Sequence, residues 1–182
     1  MYATVCVCPG AIRLFLSNLA VLTGHIFFQI WKALTLRHFC ENKLMNLLCS
    51  SFSDKAEREE IRLTVDTVLP EVQYISDMEL CANMFNGLEN AFRAGTELEN
   101  DCRWIELHSS IRQDKLLVEI RNPYVGQVSF EDEMPVSDQE GHGYGCRSIR
   151  SIAQQHRGVC LFEAEDGVFV LRVVLPMNSD RH

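Results

Sequence analysis

Four polar side chains recur at helical spacing within Cys81–Gly95: Asn83, Asn86, Asn90 and Arg93. Residues three and four apart stack on one side of an α-helix. Asparagine is a mediocre helix former because its side chain competes for nearby backbone groups. A row of asparagines inside a helix therefore suggests a face that binds something. An amide oxygen is a neutral, hard ligand for Mg²⁺, which prefers oxygen and keeps several waters when it bridges phosphates. Arg93 would offset phosphate charge beside it. For this helix alone, a merely solvated polar face is the competing reading. Cys81, Phe85, Leu88 and Phe92, at i, i+4, i+7 and i+11, are the expected buried face.

The stretch "EGHGYGCRSI" sets Gly141, Gly143 and Gly145 at alternate positions directly before a predicted helix. Glycines there let backbone N–H groups approach a phosphate, and a helix N-terminus adds favourable partial charge. Arg147 and Arg150 fall in and just after the first turn, where they could reach an anion. No parallel βαβ unit surrounds these glycines, so they are not a dinucleotide fingerprint. On their own they also read as a flexible loop. Between the two stretches lies "EIRNPYVG", in which Asn122 ends a strand, Pro123 stops it and Gly126 permits a tight turn. A polar side chain at such a strand end can accept a hydrogen bond from the exocyclic amine of adenine. In isolation it reads as an Asn-Pro turn.

The elements that must position these groups follow from periodicity. "ENKLMNLLCSSFSDKAEREE" places Leu44, Leu48, Phe52 and Ala56 at helical spacing, with charges opposite. "IRLTVDTVL" alternates as a strand and closes at Pro70. Asp77 is the expected cap of the next helix, and Gly95 suits its C-terminal end. "RWIELHSSI" and "LLVEI" read as strands joined through a turn at "RQDK". Pro123 to Glu140 is a long polar stretch without evident periodicity, which predicts a lid or binding loop. A helix over "CRSIRSIAQQH" and a hairpin turning at Glu165-Asp166-Gly167 complete the chain. The order predicts an α+β fold: a two-layer α/β sandwich, one mixed sheet with helices on one face.

Composition bounds the function. The 182 residues carry 47% hydrophobic and 23% charged side chains, ordinary for one globular domain plus an appendage. A net charge of −8 argues against nucleic-acid binding, which needs a basic surface. Eight scattered cysteines without a CxxC pair predict buried free thiols, neither a disulfide framework nor a zinc site. Residues 1–39 form a hydrophobic N-terminal segment. Leu14 to Trp31 lacks Asp, Glu, Lys and Arg over eighteen residues, a minimal membrane span weakened by Ser17, Asn18, Thr23, Gly24, His25 and Gln29. A buried or dimer-forming helix fits it equally well. If it spans, Lys32 and Arg37 place the remainder in the cytoplasm. The domain proper runs over 40–176, and 177–182 is a tail.

Taken together, N-x-x-E-N on a helix, N-P-x-x-G at a strand end, a lid and then G-H-G-Y-G resemble the ATP-binding domain of sensor histidine kinases. These share an ATPase superfamily, abbreviated GHKL, with DNA gyrase and a heat-shock chaperone. "SDMELCANMFNGLENAF" and "GHGYGCRSIRSI" are closest to kinases of the accessory-gene-regulator, peptide-pheromone type. The resemblance covers about residues 40 to 176 and implies the Bergerat ATP-binding fold with ATP and Mg²⁺ as cofactors. It implies that Asn90 coordinates Mg²⁺ between the phosphates and that Asn86 faces the same phosphates. Glu89 would orient a water or metal ligand. Gly126 would shape the adenine pocket. Gly141, His142, Gly143 and Gly145, with Arg93 and Arg147, would close over the phosphates. Asn122 takes the place of the superfamily's usual adenine-reading aspartate, and its amide oxygen can still accept from N6.

The same resemblance implies a role in two-component signalling, with an acceptor-histidine helix and a response regulator as partners. The acceptor is not evident. His25 in "TGHIF" and His38 in "LRHFC" have no adjacent carboxylate, and only about nine residues separate the apolar stretch from the first domain helix, too few for a helical hairpin. Two alternatives on the same fold are a serine/threonine kinase of the anti-sigma type and a non-catalytic nucleotide-binding or dimerisation module.

Overall fold

The computed structural model describes residues 38–69, 75–136 and 144–177. The apolar stretch with His25, and Gly141, His142 and Gly143, lie outside the described residues.

Helix α1 spans Lys43–Glu59 and opens on Asn42, whose side chain accepts from the Met45 N–H at 3.0 Å. The same amide donates to Asp77 Oδ1 at 2.8 Å, tying the start of α1 to the next helix. At the other end Glu60 adopts the left-handed conformation (φ 56) and its N–H caps Ala56. The buried face is Met45, Cys49, Phe52, Ser53 and Ala56, not the expected Leu44 and Leu48 line. Leu44 is exposed and Leu48 only half-buried. Apolar residues crowd both sides of this first turn, so spacing alone admitted two stripes, and packing chose the other.

Helix α2 spans Asp77–Thr96. Its cap is Ser76 rather than Asp77: Ser76 Oγ accepts from the Glu79 N–H at 3.2 Å and donates to Glu79 Oε2 at 2.5 Å, a capping box. Asp77 instead adds negative charge to the first turn, where the helix dipole favours it. The buried residues are Leu80, Asn83, Met84, Gly87, Leu88, Ala91, Phe92 and Gly95. Leu88 and Phe92 behave as expected, whereas Cys81 is half-buried and Phe85 exposed. Gly95 is not a left-handed cap. It lets Ile61 pack close, since a Cβ there would stand 3.3 Å from Ile61 Cδ1.

The sheet is five-stranded and mixed. Strands β1 (Arg62–Thr67), β2 (Trp104–Arg112), β3 (Lys115–Pro123), β6 (Val159–Glu165) and β7 (Val168–Pro176) lie in the order β1-β2-β3-β7-β6. Only β1 and β2 run parallel. Ile105 and Leu107, then Leu116, Val118, Ile120 and Asn122, then Leu171, Val173 and Leu175 are buried, each two residues from the next in its strand. These positions share one face by the period-two rule. The opposite face carries cross-strand ion pairs, Glu106 with Arg121 and Arg172 with both Glu119 and Glu163. Such half-exposed pairs contribute little stability but keep that face wet. Helices α1, α2 and α3 (Tyr144–Gln155) supply the second layer, so the expected α/β sandwich is present.

The long stretch after β3 is more ordered than its composition suggests. Strands β4 (Ser129–Glu131) and β5 (Met134–Val136) pair as a separate two-stranded ribbon. They turn at Asp132-Glu133, both with positive φ (48 and 61). Gln113-Asp114 and Asp166-Gly167 do the same for the β2–β3 and β6–β7 hairpins. Positive φ at both turn positions matches the right-handed twist of paired strands.

Candidate functional site

An open cleft of about 170 Å³ lies between α2 and the sheet. Ile120 and Asn122 of β3, Phe162 of β6, and Phe169 and Leu171 of β7 line its sheet side. Gly87, Asn90 and Ala94 of α2 line another wall. Tyr124, Val128 and Pro135 close it from the segment after β3, and Cys146 does so from α3. The lining is apolar and aromatic, with two amides as its main polar groups. That suits a flat apolar ring system whose polar attachments leave through the mouth.

Close approach of α2 to the sheet makes this geometry. A Cβ on Gly87 would stand 2.6 Å from Ile120 Cδ1 and 2.9 Å from Leu171 Cδ2. Glycine at this position therefore lets the helix carry Asn90 over the cleft beside Ile120 and Leu171, while Asn86 is not among the lining residues. Asn90 is half-buried, and its Nδ2 donates to Cys146 Sγ at 3.4 Å. Gly145 lies beside the same pair of side chains, since a Cβ there would make ordinary contact with Asn90 Nδ2 at 3.4 Å and Asn86 Cβ at 3.7 Å. Asn86, Asn90 and Gly145 are thus neighbours where α2 passes the start of α3.

Asn122 is buried at 3% exposure and lines the cleft. Its Nδ2 donates to the Pro123 carbonyl at 2.9 Å, which fixes the amide and leaves Oδ1 as the acceptor. β3 does not end at Asn122. It continues through Pro123, which pairs with Val168, and this holds Asn122 opposite Phe169. Gly126 has φ +80 and does not line the cleft; it bends the segment between Tyr124 and Val128, which do.

The remaining candidates scatter. Asn83 leaves the polar row altogether. It is 4% exposed, and neither its Oδ1 nor its Nδ2 finds a hydrogen-bond partner in the protein. It faces a small void beside Leu80, Met84, Val118, Ile120, Leu171 and Val173. Helical spacing placed it with Asn86, but at this level α2 lies against β3 and β7, and Asn83 faces Val118, Ile120, Leu171 and Val173. Glu89 is absent from the cleft lining and pairs with Lys55 of α1 at 2.7 Å. Lys55 Nζ sits 4.9 Å from the Phe92 ring centre, a cation–π contact that holds the pair in place. Arg93 is exposed near Cys146. Burial pushes the Cys146 thiol up, against the Asn90 hydrogen bond and the Arg93 charge, which lower it. Arg147 is exposed at the start of α3. Arg150 is committed elsewhere, donating to the Asp132 carbonyl at 2.8 Å and lying 3.5 Å from Glu133 Oε2. His38 does have a carboxylate neighbour, contrary to expectation: Nε2 lies 3.4 Å from Glu41 Oε1, three residues on and exposed.

Sequence reasoning missed Cys146 and the aromatic residues of the cleft. Cys146 follows the glycine run directly, and Phe169 lies across the β3–β7 ladder from Asn122, so both had a signal in neighbouring motifs.

The sequence profile of the GHKL domain matches residues 75–176, more than half of the chain. The chain belongs to the GHKL family. The matched part of this GHKL domain holds every cleft-lining residue named above. Solved structures share its fold. One nucleotide-free form of the catalytic domain of histidine kinase ThkA is 19% identical, covering 74% of this chain and 91% of that one, with a TM-score of 0.60. A second nucleotide-free form gives 19%, 75%, 94% and 0.61. The Acinetobacter baumannii histidine kinase AdeS is 14% identical over 96% of this chain and 87% of that one, with a TM-score of 0.55. None of the curated proteins compared matches. Among the described residues, no helix is long and apolar enough to cross a membrane.

Proposed function

We propose that this GHKL domain is the ATP-binding catalytic domain of a histidine kinase in two-component signalling, of the accessory-gene-regulator type. It would transfer the γ-phosphoryl group of ATP to a histidine on a separate helix. The observation that carries this reading is the polarity of the cleft. A buried, orientation-locked amide acceptor (Asn122) stands among Phe162, Phe169 and Ile120, while Asn86, Asn90 and Gly145 cluster at α2 and the start of α3. An adenine ring fits the first group and a phosphate chain the second. Adenine offers an N6 donor to Asn122 Oδ1, whereas guanine offers an acceptor there and is disfavoured.

Mg²⁺ fits the phosphate end. Asn90 supplies one neutral oxygen, and no group of three His, Cys, Asp or Glu side chains among the described residues could hold a metal alone. A donor set of that kind suits a cation that takes most of its ligands from phosphates and water. When bound, Mg²⁺ would neutralise charge developing on the phosphates during transfer. The protein's own part is positioning: Asn90 and Asn86 fix the phosphate end, Asn122 fixes the base, and Arg93 and Arg147 add positive potential outside. A hydrolase or serine/threonine kinase would need a free carboxylate base at the cleft. Glu89, engaged by Lys55 and outside the cleft lining, is not such a base.

Incubating the full chain with γ-labelled ATP, alone and with a separate acceptor-helix dimer of a related kinase, tests the reading. Acid-labile label on the supplied histidine, with none on this chain, is the expected result. ATP binding without transfer to any acceptor would leave a nucleotide-binding module. Transfer to serine or threonine would contradict the proposal.

A further inference from the structure

We propose that Cys146 is a positioning residue for the phosphate end of the cleft: its sulfur holds the Asn90 amide so that Oδ1 is the end offered to a cation. This rests on the Mg·ATP reading above and adds to it a residue whose identity that reading does not require. An asparagine amide is nearly symmetric in shape but not in chemistry. Its oxygen can ligate a metal, and its NH₂ group cannot. A half-buried amide free to turn about its last torsion would present the wrong end part of the time.

One contact from α3 restricts that rotation. Asn90 Nδ2 donates to Cys146 Sγ at 3.4 Å, and sulfur offers a lone pair but only a weak donor, which favours the NH₂ end there. Gly145 lies beside the same amide without pressing on it: even a Cβ built there would meet Nδ2 at 3.4 Å and Oδ1 at 3.5 Å, ordinary contact. The sulfur is itself fixed. Cys146 is 8% exposed, on a helix anchored by the fully buried Ile149 and Ala153. The Arg150 bond to the Asp132 carbonyl adds a clamp on the outer side. A support held by a rigid element defines its partner's orientation better than a loop would.

The test compares Cys146→Val and Cys146→Ser with the wild-type full chain, using displacement of a fluorescent ATP analogue with and without Mg²⁺. Valine fills the thiol's volume without an acceptor, and serine keeps an acceptor in less volume. Thermal melting confirms that each variant is folded. With Mg²⁺ present, Cys146→Val should bind ATP about three- to tenfold more weakly, and Cys146→Ser within about twofold of wild type. Without Mg²⁺ the three should agree. A packing role predicts the reverse order, with serine the weaker binder and the less stable protein, and that result would overturn the proposal. So would equal Mg·ATP affinity in all three, or an equal loss in Cys146→Val with and without the metal. If wild type itself bound no ATP, the nucleotide reading would fall, and this inference with it.

Discussion

At the scale of single residues, Asn122, Asn90 and Asn83 have three different fates despite one chemistry. Asn122 is buried, donates to the Pro123 carbonyl and keeps an acceptor at the cleft. Replacing it with alanine should weaken ATP binding about tenfold, the scale of one lost buried hydrogen bond, and narrow the preference for ATP over GTP. Competition titrations with the two nucleotides measure both. Asn90 is held by Cys146, and its loss should act through the metal. Asn83 does neither. With two unpaired amide atoms among Leu80, Met84, Val118, Ile120, Leu171 and Val173, it costs the fold desolvation without return. Asn83→Leu, similar in volume, should therefore stabilise the protein by about 1–2 kcal/mol in urea denaturation. A drop of that size would mean the amide is needed where it stands. The sequence singled out Asn86 and Asn90 by their spacing with Arg93, and both side chains lie beside Gly145 at the start of α3. It could not separate Asn83, since helical spacing counts positions and does not see the sheet beneath.

At the scale of elements, the meeting of α2 with β3 and β7 decides the site. Gly87 is the point of contact, and a larger side chain there must push the helix off Ile120 and Leu171. Gly87→Leu should cost about 1–3 kcal/mol by overpacking and abolish nucleotide binding, because Asn86 and Asn90 move with the helix. Gly87→Ala sets a similar clash against a helix-propensity gain of about 1 kcal/mol, so its stability change should be small. The start of α2 carries a pH dependence. Hydrogen bonds from Ser76 first, and from His156 second, hold the Glu79 carboxyl below its usual range. A carboxyl lowered in the folded state stabilises above its unfolded value, and that contribution is lost as pH falls through the folded one. Stability measured from about pH 5 to pH 3 should fall less steeply in Glu79→Gln than in wild type. The order of the main helices and of the five sheet strands was legible, because those strands alternate and each helix repeats with its own period. Faces were less so. Phe52 and Ala56 are buried as expected, but Leu44, Met45, Leu47 and Leu48 are all apolar, so spacing could not tell that Met45 and Cys49 rather than Leu44 and Leu48 complete that face. The β4–β5 ribbon was hidden because its turn is Asp132-Glu133, with no glycine or asparagine to mark positive φ.

At the scale of the whole molecule, the scattered thiols and the nucleotide cleft give two separate tests. Burial pushes Cys49 and Cys160 up to about 12 and Cys81 up to about 11, from an ordinary value of 9.0. In the unfolded chain these thiols ionise near the ordinary value, so the stability that goes with keeping them protonated is complete below it. That stability is lost as pH rises toward the folded values. Unfolding midpoints should therefore decline above about pH 9, and alkylation of the native protein at pH 8 should mark the exposed Cys102 well before Cys40, Cys49, Cys81, Cys146 and Cys160. The cleft is tested most directly by calorimetric titration of the full chain with ATP, with and without Mg²⁺, beside folded Asn90→Ala. The account predicts saturable binding that Mg²⁺ strengthens in wild type and hardly strengthens in Asn90→Ala. No heat at millimolar ATP, or the same Mg²⁺ response in both proteins, would contradict it.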